Sequence, residues 1–245
     1  MATLVKRTKR TFKRATLGWR EGLIARSPAW TKHTFGPALM RLDSLFIDHG
    51  IVRLFYLNRH RIGDKAWRAA QPGNHHIRSF AAQGIRTVVN LRGPRVCGSY
   101  WLEQEACARH GITMVDCQVR SRASPSREEL RRARELFERI EYPMVMHCKS
   151  GADRVGLMSV LYRHSRLGQP IAEAKQELSW RYGHIRHADT GILDHFFEQY
   201  LAYAANCPMP FWDWVESVYD PEVVTRSFNA NGIVSRIVSG ILRRE

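Results

Sequence analysis

The chain has 245 residues, of which 44% are hydrophobic, and this is enough to bury one substantial core with a small appended segment. Its net charge is +15, and residues 1–36 supply nine basic residues minus one acidic residue, or +8, of that total. A basic surplus of this size favours anionic partners and counts against a cationic ligand, although it does not choose among phosphorylated substrates, anionic lipid and nucleic acid.

The first part of the chain precedes the regular pattern of a folded domain. Residues 1–36 are predicted to form a basic tail, whose acid-poor composition also suits an organelle transit peptide. Residues 37–64 are predicted to form a helical extension. The apolar stretch over 42–58 is interrupted by charged residues, so we expect no membrane-spanning segment.

From residue 65 onward, apolar runs alternate with helical patterns, as is typical of β-α units. The sequence predicts a domain over 65–206 followed by a C-terminal helical extension over 207–245. The predicted elements of its first half are a strand at 66–70, a turn at 71–74, a helix at 77–83, a strand at 85–91, a helix at 99–111 and a strand at 112–119.

The second half of the predicted domain is richer in helices. Ser126, followed by Glu129 three residues later, predicts a capping box at the start of a helix over 127–140. A short apolar strand is predicted over 142–148. The further predicted helices lie at 155–168, 171–183, 192–205 and 211–218, and an apolar stripe over 233–242 predicts another. The fold class is therefore α/β, with a central, mostly parallel sheet flanked by helices.

The stretch HCKSGADR, residues 147–154, joins the last predicted strand to a helix. Backbone N–H groups in such a turn can converge on one centre, and the helix N-terminus adds positive potential there. Gly151 lets the chain bend closely, and Arg154 can offer two N–H groups to a phosphate. The same field favours the thiolate form of Cys148, so the sequence predicts that this sulfur attacks a bound phosphorus atom.

The HC-x5-R pattern between a strand and a helix resembles the cysteine-dependent protein tyrosine phosphatase superfamily. The upstream stretches WRAAQPGN and GIRTVVNLRG resemble its compact dual-specificity branch, and the resemblance covers about residues 65–200. It implies the fold of that branch and a reaction without metal or cofactor. It also implies that Cys148 is the nucleophile, that Arg154 clamps the phosphate and that His147 supports the loop and the thiolate. The implied phosphate cradle consists of Lys149, Ser150, Gly151, Ala152 and Asp153.

Two positions depart from that family pattern. Val155 stands where the family usually has Ser or Thr, whose hydroxyl helps the sulfur to leave in the second step. The general acid is the second departure. Asp116 lies 32 residues before Cys148, a suitable spacing, but it falls in a predicted strand and the loop after it has no acid. Asp153 is the alternative that we favour slightly, because C-x-x-G-x-D-R resembles the loop of myotubularin-type lipid phosphatases.

The leading hypothesis is a phosphatase that hydrolyses phosphomonoesters of the protein tyrosine or dual-specificity type through a phosphocysteine. The alternatives are a phosphoinositide, phospholipid or inositol-phosphate phosphatase of the same fold, and a catalytically weak phosphate-binding protein or membrane-associated scaffold. Basic residues at the rim of the site would favour a polyanionic or lipid headgroup; the candidates are Arg92, Arg95, Arg120 and Arg122.

The remaining expectations concern location, partners and side chains outside the loop. We expect a reducing, cytoplasmic compartment, with the basic termini able to hold the chain at the inner face of an anionic membrane, and no nucleic acid partner. The histidines at 75–76, 184 and 187 are interpreted as ordinary polar residues rather than metal ligands. The cysteines outside the loop are interpreted as packing residues, namely Cys97, Cys107, Cys117 and Cys207.

Overall fold

The structure is a computed structural model that describes residues 57–95 and 97–229. Its main compact unit comprises the described residues 57–95 and 100–229; of the other unit, only Cys97–Ser99 lie among the described residues. The predictions for residues 1–56 and for the apolar stripe over 233–242 fall outside the described ranges. Every helix within those ranges is too short or too polar to traverse a lipid bilayer.

Five strands form one sheet in the order β1-β2-β5-β3-β4. They are β1 (His60–Gly63), β2 (Ala66–Ala70), β3 (Thr87–Asn90), β4 (Thr113–Asp116) and β5 (Met144–Cys148). Only the β1–β2 pair is antiparallel, and the other pairs are parallel. The predicted α/β fold with a mostly parallel sheet is confirmed. The strand that ends in the candidate nucleophile is the central one, and all five of its residues are buried.

The described residues form seven helices placed around this sheet, and residues 221–229 are also helical. They are α1 (Asn74–Ala82), α2 (Gly98–Arg109), α3 (Arg127–Arg139), α4 (Asp153–Leu167), α5 (Ile171–Ala174), α6 (Ile192–Asn206) and α7 (Phe211–Ser217). Alternate residues of β5 enter two different cores: Met144 and Met146 belong to the larger core with α3, α4 and α6, whereas Val145 packs with α1 and α2. A central strand covered on both faces gives the loop after it a rigid base.

Two predicted elements near the start of the domain differ from the observed ones. His60–Gly63, which the sequence placed in a helical extension, is strand β1, because its backbone completes the edge of the sheet beside β2. The boundary at residue 65 as such stays a prediction. Helix α1 begins at Asn74, inside the predicted turn, since extended Gly73 serves as its N-cap residue.

The single helix predicted over 171–183 is wrong. Helix α5 ends at Ala174 and is followed by two 3-10 turns, Lys175–Glu177 and Trp180–Tyr182. Between these turns Leu178 leaves the helical conformation, with φ −94° and ψ 78°. Buried Arg68 of β2 binds both the carbonyl and the carboxylate of Glu177 at this point, which ties the segment to β2.

The cysteines outside the loop have different environments. Cys107 and Cys117 are buried, as predicted for packing residues, whereas Cys207 is exposed and the packing role predicted for it is wrong. Burial raises the pKa of the Cys107 thiol to about 12, with a smaller contribution from nearby Glu103. None of the five cysteines is in a disulfide.

The predicted capping box of α3 is confirmed and gives a test of the local fold. Ser126 Oγ accepts the Glu129 N–H at 3.1 Å, and a Glu129 carboxylate oxygen accepts the Ser126 N–H at 2.7 Å. We expect Ser126→Ala to lower the free energy of unfolding by about 1 kcal/mol, because one helix N–H loses its acceptor. Urea denaturation measures this, and an unchanged midpoint would show that the cap does not stabilise the helix.

Candidate active site

The candidate site is the turn between β5 and α4, which we call the catalytic loop (Cys148–Arg154). Cys148 is the last residue of β5 and is paired in register with Ala70 of β2. Gly151 has φ +73°, and a Cβ at this position would lie 2.7 Å from the Ala70 backbone nitrogen. Any side chain at residue 151 would therefore push the loop away from β2, which explains the glycine.

The carbonyl groups of the catalytic loop are held from one side by two side chains. Asn58 Nδ2 donates to the Ser150 carbonyl at 3.0 Å. Arg68 Nη2 donates to the Gly151 and Ala152 carbonyls, each at 3.0 Å. Three consecutive carbonyls are thus fixed by groups from the N-terminal edge of the domain, which also fixes the orientation of the intervening peptide planes.

Some N–H groups of the catalytic loop have no acceptor among the described residues, and two of them share peptide groups with the fixed Ser150 and Gly151 carbonyls. Within the described ranges, the N–H groups of Ser150, Gly151 and Ala152 donate no hydrogen bond to the protein. Arg154 lies in the first turn of α4, and its Nε is buried without a hydrogen-bond partner among the described residues. Amides and a guanidinium next to a helix N-terminus are a combination that can bind an anion such as phosphate.

Arg68 itself has no exposure to solvent, and its charge is balanced inside the protein. Its Nη1 lies 2.7 Å from Glu177 Oε2, and its guanidinium carbon lies 3.9 Å from the centre of the Tyr182 ring. The Glu177 carboxylate also binds Arg163 at 2.6 Å. A buried cation held by a carboxylate and a ring is a rigid support, and here it supports the catalytic loop.

His147, the predicted supporting residue, is fully buried on the other face of β5. Its Nε2 lies 2.6 Å from Glu103 Oε1 of α2. The second oxygen of Glu103 accepts a hydrogen bond from Gln71 Nε2 at 2.9 Å, and Gln71 Oε1 in turn accepts one from Arg92. A polar network therefore reaches the residue before Cys148 from behind the sheet.

The two candidate general acids occupy different environments. Asp153 is the first residue of α4, within the catalytic loop, and its Oδ1 lies 2.7 Å from Nδ1 of buried His184. Asp116 ends β4, in register with Asn90, which is itself in register with His147 of β5. Asp116 is thus two strands away from β5, or roughly 10 Å at the usual strand spacing.

Both carboxylate oxygens of Asp116 have local donors. Asn90 Nδ2 donates to Oδ1 at 2.7 Å and the Tyr100 hydroxyl donates to Oδ2 at 2.5 Å. This hydrogen bond, together with burial and the negative charge of Asp116, raises the pKa of Tyr100 to about 12. Asp116 also lines a cavity of about 480 Å³ whose lining includes no residue of the catalytic loop. The structure brings Asp153, rather than Asp116, next to the phosphate cradle.

The predicted arginine rim is only partly present. Arg92 is 6% exposed and donates to Gln71, so its assignment to the rim is wrong. Arg120 is half exposed and binds the Glu129 carboxylate at 2.7 Å. Arg95 and Arg122 are exposed. Val155 is fully buried, and its side chain offers no hydroxyl.

Comparison with known families agrees with this geometry. Residues 59–190 match a family model described as PTP-NADK, a DSP-PTPase phosphatase fused to NAD+ kinase. The chain belongs to this family. The matched range begins just before β1 and includes the catalytic loop together with the segment that contains His184.

Several solved structures are similar to part of the chain. P. aeruginosa TpbA is 21% identical, with 58% of this chain and 84% of that chain covered and a TM-score of 0.48. PTPMT1 is 18% identical, with 60% and 99% covered and a TM-score of 0.44. A putative phosphatase from Shewanella putrefaciens CN-32 is 14% identical, with 64% and 94% covered and a TM-score of 0.46. No curated protein shows significant similarity to the chain.

Sequence reasoning missed the residues that support the phosphatase loop from outside it. They are distant in sequence from the residues they contact. Arg68 and Gly151 differ by 83 in residue number, and Asp153 and His184 differ by 31. The signal for Arg68 was present, because it is the arginine of WRAAQPGN, but the motif was used only as a mark of resemblance. His184 carried no signal beyond its proximity to Gly183.

The role of Arg68 as a support can be tested by replacing it with an apolar side chain of similar length. We expect Arg68→Met to lower the free energy of unfolding by about 3 kcal/mol, because it leaves Glu177 and two loop carbonyls buried without their donor. Arg61→Met is the matched control, since Arg61 forms an exposed pair with Asp64 and should cost at most about 1 kcal/mol. Equal losses in chemical denaturation would contradict a supporting role.

Proposed function

We propose that the chain hydrolyses phosphomonoesters through a covalent phosphocysteine on Cys148. The observation that carries the proposal is the catalytic loop itself: among the described residues, the N–H groups of Ser150–Ala152 and Arg154 Nε, which follow Cys148 closely in the chain, have no hydrogen-bond partner. A family match to a phosphatase supports the same conclusion. A phosphorylated Tyr, Ser or Thr side chain of a protein is the first substrate class we propose, because the family domain is of the dual-specificity type.

In the first step, the Cys148 sulfur attacks phosphorus while the bond to the leaving oxygen breaks. The loop N–H groups and Arg154 bind the equatorial oxygens, where negative charge accumulates, and they are already oriented before the substrate arrives. We assign the proton that the leaving oxygen takes to Asp153, the acid that lies in the catalytic loop.

In the second step, water attacks phosphorus, the P–S bond breaks and its electron pair returns to the Cys148 sulfur. Asp153 accepts the proton of the water, so that each group returns to its starting state. Val155 offers no hydroxyl to the departing sulfur. We therefore expect the phosphocysteine to persist longer than it would with Ser or Thr at position 155.

The proposed activity is tested with p-nitrophenyl phosphate. We expect turnover by the full chain, inhibition by vanadate, and loss of at least about a thousandfold in kcat for Cys148→Ser, because an alcohol is a far weaker nucleophile than a thiolate. Cys207→Ser is the matched control, since Cys207 is exposed and outside the catalytic loop. Binding of phosphate or vanadate by wild type without turnover would instead favour the phosphate-binding alternative.

A second candidate substrate class is a lipid phosphomonoester, and it has its own observation. Trp180 is 87% exposed and Ile185 is 62% exposed, in the segment whose Tyr182 carbonyl shares the Asn58 amide with the catalytic loop. Exposed Arg181 and Arg186 accompany these apolar side chains. Exposed Trp beside Arg is typical of surfaces that contact anionic membranes. We propose this segment as the contact that would place the chain at a lipid surface.

The lipid candidate is tested by the ratio of two rates, one on phosphatidic acid in phosphatidylcholine vesicles and one on p-nitrophenyl phosphate. We expect Trp180→Ala to lower this ratio about tenfold or more, because Trp burial in the interface would contribute to vesicle binding. Trp101→Ala is the control, as Trp101 is 38% exposed on α2. An unchanged ratio, or a phosphotyrosine peptide that is hydrolysed far faster than the vesicles, would contradict the lipid candidate.

A further inference from the structure

A buried histidine lies between two carboxylates directly beside the catalytic loop. His184 is 2% exposed. Its Nδ1 lies 2.7 Å from Asp153 Oδ1, and its Nε2 lies 2.6 Å from Asp194 Oδ2. Asp194 belongs to the first turn of α6 and is 3% exposed. Three chain segments, the start of α4, the turn after Tyr182 and the start of α6, therefore meet at one imidazole.

The contact leaves one oxygen of Asp153 accessible for chemistry. The His184 interaction engages Oδ1, whereas no described residue donates a hydrogen bond to Oδ2, and the Asp153 side chain is 25% exposed. A carboxyl group fixed at one oxygen and open at the other has a defined direction for proton transfer. Asp153 belongs to the catalytic loop, so this oxygen lies in the segment that would hold the phosphate.

The chain immediately around His184 is constrained so that this contact is kept. Gly183 has φ +81°, and the residue before it, Tyr182, packs its ring against the Arg68 guanidinium. A Cβ on Gly191 would lie 1.8 Å from the Arg186 carbonyl oxygen, so the turn that follows His184 accepts only glycine at that position. The imidazole is therefore held by a tightly closed turn.

We propose that His184, held by Asp194, is a positioning residue for the phosphatase reaction: it fixes Asp153 so that Oδ2 can exchange protons with the leaving group and with water. This inference rests on the proposed phosphatase activity and adds to it a group that does not touch the substrate. In the first step the proton on Asp153 passes to the leaving oxygen, and in the second step a proton of water returns to Asp153. His184 keeps its own two protons in both steps.

The charges around His184 fit this role in the state where Asp153 is ionised and ready to accept a proton from water; when Asp153 Oδ2 carries the proton, Oδ1 still accepts from His184 Nδ1. Burial disfavours the imidazolium, but the hydrogen bonds to Asp153 and Asp194 and their negative charges outweigh burial and raise its pKa to about 9. These two carboxylates, one on α4 and one on α6, are the charged groups that act on it. His184 is therefore protonated on both ring nitrogens at neutral pH and donates a hydrogen bond to each carboxylate. As the pH rises through about 9, it loses one of these two N–H donors.

The experiment compares His184→Gln with His187→Gln, an exposed histidine in the same turn. Rates are measured on phenyl phosphate, whose leaving group needs a proton, and on p-nitrophenyl phosphate, whose leaving group does not. We expect His184→Gln to lose about 10- to 100-fold in kcat on phenyl phosphate, within what general acid–base catalysis contributes, and several-fold less on p-nitrophenyl phosphate. His187→Gln should match wild type on both.

The pH profile separates positioning from a purely structural role. Wild type should lose activity as the pH rises through about 9, and this limb should disappear in His184→Gln because an amide does not titrate there. Equal losses on both substrates with the alkaline limb retained would overturn the inference, whereas wild type without any turnover would overturn the proposed function as well.

Should His184→Gln fail to fold, Asp194→Asn and wild type provide the test. Asn can still accept a hydrogen bond from His184 Nε2 but removes the negative charge, so we expect the alkaline limb to move to lower pH. In wild type labelled with 15N-histidine, both His184 nitrogens should carry protons at pH 7.5. A neutral imidazole at that pH, or an unmoved limb in Asp194→Asn, would overturn the inference.

Discussion

The rest of the site depends on the hydrogen bonds and the ion pair that the buried Arg68 guanidinium forms. It donates to two consecutive carbonyls of the catalytic loop and is balanced by Glu177 in a place without solvent. Because a peptide plane has its carbonyl and N–H on opposite sides, fixing the carbonyls also fixes where the N–H groups point. By binding the carbonyls, the Arg68 cation thus orients the N–H groups on the opposite side of the loop, where they can bind an anion.

The same cation explains why the 171–183 segment is not a long helix. Glu177 binds Arg68, and the Tyr182 ring packs over the same guanidinium. The chain between these two contacts therefore forms short 3-10 turns instead of one helix. These turns place His184 within hydrogen-bond distance of Asp153. The same folded segment therefore helps to support the phosphate cradle and orients Asp153. A change in Arg68 should disturb both.

The sequence predicted what depends on local pattern and missed what depends on distant pairing. Strand 66–70 and the capping box at Ser126 follow from periodicity and from a three-residue spacing, and the loop motif follows from seven contiguous positions. Strand β1 was missed because four residues with little alternation become a strand only through the neighbour they pair with. His184 was interpreted as an ordinary polar residue, since a histidine gains a role only when folding brings carboxylates to it.

In the proposed reaction, the oriented loop lets Cys148 carry the phosphoryl group. The most direct measurement is acid quenching of the full chain during turnover of p-nitrophenyl phosphate, followed by peptide mass spectrometry. We expect a phosphoryl group on the peptide that contains Cys148, in an amount that grows with substrate until the enzyme is saturated. Continued turnover with that peptide unmodified, or with the phosphoryl group on another residue, would contradict it.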